Sequence, residues 1–218
     1  MKTTGSKIAI AAGFSLLALA MAQAGDVTEG RDLRAFEKII IDGVGIELDV
    51  DVGKDFSVLL KGSEKWLGRI TTKVEDNTLV IARKDGKKNI FNFDSDNLVI
   101  ITMPKFLALE VNGAVDADIS GVDSENLLFG INGAGNIEVD GICGQLTVEL
   151  NGAANFEGED LKCEDIKISI NGAGNVETYA SKSADLDING VGNIDLYGNP
   201  KVITQDKSWF SNIEIHVK

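Results

Sequence analysis

Only a few residues in this chain are of kinds that do chemistry, so their number and spacing come first. Cys143 and Cys163 are the only cysteines and His216 is the only histidine. One histidine supports neither a Cys/His zinc site nor a Ser-His-Asp triad. Carboxylates are plentiful: 34 Asp and Glu face 21 Lys and Arg, for a net charge of −13. Clustered carboxylates could cleave a polysaccharide by general acid–base chemistry, and stacked ones could hold calcium. Yet no Arg follows Arg83 to steady a developing negative charge. Glu110, Asp118, Glu138, Glu149, Glu157, Glu177, Asp187 and Asp195 recur about once per repeat, as a solvated face does. No Gly-Gly-x-Gly-x-Asp calcium repeat occurs. The expectation is a protein that is not an enzyme, with no catalytic residue, no cofactor and no metal ligands. A carbohydrate-active enzyme with an acidic groove and a calcium-stabilised extracellular module are the alternatives.

Charge placement narrows the partners. Between Lys105 and Asn199 stand 17 acidic residues against 4 Lys, with no Arg and no His. Such a surface repels phosphate backbones and anionic lipid heads, which argues against nucleic acid. At the other end, Lys2 and Lys7 precede an apolar run from Ile8 to Met21, closed by Ala22-Gln23-Ala24. That pattern predicts a signal peptide over residues 1–24, cut before Gly25, because the run is too short to span a bilayer. The exported chain is then periplasmic, extracellular or at the cell surface, without direct membrane insertion. Its expected partner is an envelope or surface molecule, protein or glycan, that the sequence does not name.

The elements that position these residues show in an internal repeat. Asn-Gly occurs at Asn112-Gly113, Asn132-Gly133, Asn151-Gly152, Asn171-Gly172 and Asn189-Gly190, at intervals of 20, 19, 20 and 18 residues. The residues one, three and five places before each Asn are apolar, from Leu107, Leu109 and Val111 to Ala184, Leu186 and Ile188. This alternation means a strand with one face buried. After each turn come a small residue, an Asn or Asp, and a second strand. Asn-Gly suits a turn because Gly takes positive φ freely and Asn tolerates it. A meander of hairpins would need a second consistent turn signal in each unit, and none is present. Units that cannot bury their own apolar face instead predict stacked coils. Stacking puts the Asn residues in one column, and Ala114, Ala134, Ala153, Ala173 and Val191 in another. The expected fold is all-β: a parallel β-solenoid with coils of about 20 residues, preceded by an irregular β amino-terminal half.

That first half carries an echo of the unit in Ile39–Leu48, with strands expected over 56–60, 70–74, 79–82 and 98–102. Arg83–Lys88 reads as a basic exposed loop. Lys207–Lys218, with Trp209, Phe210, Ile213, Ile215 and Val217, reads as a cap over the open end. Cys143 and Cys163 each lie eight places before the Asn of their own unit, where the flanking units hold Ser124 and Ser181. Stacked coils would bring their α-carbons to about 5 Å, within the reach of a disulfide. An oxidising compartment favours that bond, and two buried free thiols are the alternative.

Three of these features resemble the bacterial family called putative auto-transporter adhesin, head GIN domain. They are the strand 36–50 with Asp42-Gly43-Val44, Leu98–Pro104 leading into Leu107–Ala114, and the serial Asn-Gly-Ala-Gly-Asn units ending in Tyr197-Gly198-Asn199-Pro200. The resemblance implies a solenoid-like, extracytoplasmic domain over 36–202, with the Asn-Gly repeats within 107–198, and the expected function is that of a non-catalytic, adhesin-like binding or surface-structural protein. A short lead over 25–35 would precede it, and the β cap over 203–218 would follow.

Overall fold

Strands that alternate apolar and polar residues have one dry side, and stacking the coils is what buries it here. The computed structural model describes residues 27–86 and 97–216. The expected signal peptide and its cut before Gly25, Lys87 and Lys88 of the basic loop, and Val217 lie outside the described residues. The repeats form β7 (Ala108–Ile131), β8 (Ala134–Leu150), β9 (Ala153–Ile170), β10 (Ala173–Ile188) and β11 (Val191–Gly198). Each pairs in parallel with the next, so the meander is excluded and the fold is a parallel β-solenoid. Register shifts such as those after Ile119 and Glu138 mark a bend, so one long strand serves two limbs of its coil. Like residues stack: Phe129, Val148, Ile168 and Leu186 follow one another level by level, all buried. Phe129 also packs edge-on against Phe156, with ring centroids 5.0 Å apart.

The solenoid begins inside the half expected to be irregular. β2 (Lys38–Val52) lies parallel to β7 along both limbs and is the first full coil. On its other side β5 (Thr78–Arg83) covers one limb and β6 (Leu98–Met103) the other, again in parallel. The outermost strands are antiparallel: β3 (Ser57–Gly62) on β6, β1 (Val27–Gly30) on β3, and β4 (Ile70–Glu75) on β5. The expected strands fall within two residues of β3, β4, β5 and β6. A one-turn helix, α1 (Glu64–Leu67), follows β3, with the Ser63 hydroxyl accepting a hydrogen bond from the Trp66 amide at 3.2 Å.

At the far end, β12 (Val202–Lys207) adds to β10 and β13 (Ser211–His216) to β11. Gln205 and Lys207 align with Leu186 and Ile188, so two apolar columns end on polar side chains. Trp209, expected within a cap, is fully exposed, and Phe210 is exposed too.

The turn chemistry needs a correction. Gly113, Gly133, Gly152, Gly172 and Gly190 do not take positive φ; in the stacked coils Gly43, Gly121, Gly141 and Gly198 do. What the five positions require is close approach. A Cβ on Gly152 would lie 1.8 Å from the Gly133 carbonyl oxygen, and one on Gly172 would lie 1.9 Å from that of Gly152.

Candidate functional site: columns on the coil surface

Stacking in register turns each outward position into a column. In the turn column, Asn132 Nδ2 donates to Asn112 Oδ1 at 3.1 Å and Asn151 to Asn132 at 3.0 Å. Asn171 then donates to Asn151 at 3.1 Å, and Asn189 to Asn171 at 3.3 Å. A second amide column joins Asn136, Asn155, Asn175 and Asn193 at 2.9–3.2 Å. The interior amides, Asn132, Asn151 and Asn171 in one column and Asn155 and Asn175 in the other, spend donor and acceptor on their neighbours, as the amides of a structural ladder do.

Two places further along each strand runs a carboxylate column: Asp49, Asp118, Glu138, Glu157, Glu177, Asp195 and Glu214, one per level. Opposed like charges destabilise one another. Burial and then Asp118 raise the Asp49 carboxyl above its ordinary value. Burial raises Glu177 in the same direction, followed by Glu159, Asp195 and Glu157. Glu110, Glu149 and Asp187, read with this face from the sequence, stand instead on the other limb, Glu110 beside Ile40 and the other two aligned through Ser169.

That other limb carries a groove of about 820 Å³. It opens where Gly130, near Glu110 and beside Glu149, leaves a gap in the outward column. Lys38, Lys105, Asn126, Gln145 and Thr147 line it, with Leu107 and Leu128 as apolar floor. Sequence reasoning missed this groove, although a Gly in place of a charged outward residue was its signal. On the basic loop, Arg83 is paired with Asp85 at 2.7 Å.

Cys143 and Cys163 are aligned in register, both buried, with α-carbons 4.4 Å apart and a disulfide between them. Ser124 occupies the level below, as expected. The level above holds Ala180 and not Ser181, because the shorter coil shifts register there; Ser181 Oγ donates to the Cys163 carbonyl at 3.3 Å. At the open end, His216 Nε2 lies 2.9 Å from Asp195 Oδ1, and the imidazole stacks on Tyr197 at 4.7 Å.

Residues 35–200 match the family model described as "Putative auto-transporter adhesin, head GIN domain". The chain belongs to this family. Among solved structures, this head GIN protein is similar to a putative adhesin from Bacteroides fragilis NCTC 9343. Identity is 24%, over 89% of this chain and 98% of that one, with a TM-score of 0.70. This likeness is one of fold. A putative lipid binding protein from Parabacteroides distasonis ATCC 8503 is 18% identical over 87% of this chain and 97% of its own, with a TM-score of 0.44. A putative adhesin from Parabacteroides merdae ATCC 43184 is 14% identical over 88% and 97%, also with a TM-score of 0.44. No curated protein matches. Among the described residues, no helix is long and apolar enough to cross a membrane.

Proposed function

We propose that this head GIN protein is a non-catalytic, adhesin-like binding protein of the bacterial envelope or surface, exported by a signal peptide over residues 1–24. The observation that carries this reading is the layout of its polar groups. Amides and carboxylates stand in straight columns repeated coil after coil, whereas a catalytic centre gathers an acid, a base and a charge stabiliser around one point. A rigid ladder of that kind suits display. The groove beside Gly130 is the best candidate contact. Its lysines, amides and carboxylates offer donors and acceptors over an apolar floor, which fits a glycan or an extended protein segment.

The test is binding of the exported protein to arrayed purified envelope polysaccharides and surface proteins. Binding lost in Gly130→Gln, which fills the groove, and kept in Glu138→Gln on the other limb is the expected result. Release of reducing ends or unsaturated sugars from any polysaccharide on the array would overturn the non-catalytic reading.

A further inference from the structure

The geometry points to a divalent transition-metal site at the open end of the solenoid, built from Asp195, Glu214 and His216. Parallel pairing of β13 on β11 sets Glu214 beside Asp195 and His216 beside Tyr197. Residues two apart on a strand share a face, so Glu214 and His216 project together, and Asp195 projects with them one level below. One donor atom from each of the three lies within 4.8 Å of the others, with His216 Nε2 and Asp195 Oδ1 only 2.9 Å apart. The Tyr197 ring lies nearly parallel to the imidazole, at 17°, and fixes its plane.

Ligand bonds to zinc are about 2.0–2.2 Å, so donors around one ion sit roughly 3–4 Å apart. Rotating the exposed Glu214 carboxylate closes the remaining distance. Glu177, the next carboxylate down the column, is the register partner of Asp195 but lies outside this three-residue cluster. An imidazole beside carboxylates selects zinc-like borderline ions over calcium and magnesium, which prefer oxygen alone. Water would fill the other positions.

Such an ion would fasten β13 to β11 at the end of the stack. There the chain arrives through the bend at Trp209, held by Ser208 Oγ donating to the Gly190 carbonyl at 2.6 Å and Ser211 Oγ donating to the Ser208 carbonyl at 2.9 Å. Counting histidines hid this site in the sequence, because its other ligands come from two different coils.

The experiment is calorimetric titration of chelator-treated protein with Zn²⁺ at neutral pH, with hydrogen exchange of Ser211–His216 followed in parallel. One ion per chain is expected, with slower exchange in β13. His216→Ala and Glu214→Gln should each weaken binding roughly tenfold or more. Glu138→Gln, in the same carboxylate column but away from the end, should leave it unchanged. Melting curves without metal check that each variant is folded. The site is refuted if the wild type binds no Zn²⁺, or if His216→Ala binds it equally well. It is also refuted if Ca²⁺ displaces Zn²⁺ at equal concentration, which would assign the ion to the acidic column at large.

Discussion

The repeat body, β7 to β11, and the amino-terminal layers, β1 to β6, are built from the same strands by different means. In the body every pairing is parallel and each coil rests on a near copy of itself, so the turn backbones meet with no side chain between them. In the amino-terminal layers three of the five pairings are antiparallel, and space is filled by large side chains, as where Phe36 meets Phe56 edge-on at 5.1 Å. Glycine serves two ends, and both occur in both regions: Gly121 and Gly141 of the body also take positive φ, and a Cβ on Gly62 of the amino-terminal layers would lie 2.8 Å from the Trp66 ring. Gly152 is there because a neighbour occupies the space of its Cβ; Gly53, at φ +84° with nothing within 4 Å, is there for its backbone angle.

Gly152→Ala is the strongest test of that contrast. Its methyl would overlap the Gly133 carbonyl, and the coils cannot part without breaking the ladder on both sides. A loss of more than about 3 kcal/mol is expected in urea unfolding. Gly53→Ala should cost about 1 kcal/mol, the penalty of the left-handed angle alone. Equal losses at the two sites would erase the distinction.

Next in size is the cross-link, which belongs to the body. Cys143→Ser with Cys163→Ser opens a loop whose ends are 20 residues apart, and should lower stability by roughly 3 kcal/mol on the chain-entropy account. Alkylation of unreduced protein should label neither cysteine. Asn151→Ala breaks two amide links at once, from Asn151 to Asn132 and from Asn171 to Asn151, and should cost roughly 1–2 kcal/mol.

The smallest effect probes where the two regions join. Asp49 of the first coil aligns with Asp118 of the next, and its carboxyl is raised. The folded protein thus holds this proton more tightly than the unfolded chain does. Its share of stability is gained as pH falls through the raised value and is absent above it. Asp49→Asn should remove that pH dependence and raise stability at neutral pH by roughly a few tenths of a kcal/mol, since the group is partly solvated. Lower stability in the variant would show that the carboxylate is compensated.

The body was legible because stacking makes sequence periodicity and spatial neighbourhood the same thing. Ala114, Ala134, Ala153, Ala173 and Val191 are a column in the sequence and a column in space. The strands of the amino-terminal half could be located, but nothing ties Ile39 to Leu79 on one limb and Leu48 to Val99 on the other, so their sheet order stayed hidden. The reason for the turn glycines was misread, since positive φ and close approach leave the same letter. At the open end a signal did exist: Ile194-Asp195-Leu196-Tyr197 and Ile213-Glu214-Ile215-His216 repeat one pattern at an interval of 19 residues.

The amide column also governs how the protein ages. Asn followed by Gly is the pair most prone to lose its side-chain nitrogen, because an unhindered glycine amide can close on the asparagine carbonyl and form a cyclic imide. Closure needs the side chain to swing back onto the main chain. Asn132, Asn151 and Asn171 are each held from both sides within the ladder, so the reaction is slowed wherever the coils stay stacked. Among the described residues, Asn189 donates to Asn171 but its oxygen accepts nothing from a further level of the column, which makes it the position where this chemical wear begins. An Asp formed there sets oxygen against oxygen, so damage would enter the stack from its open end.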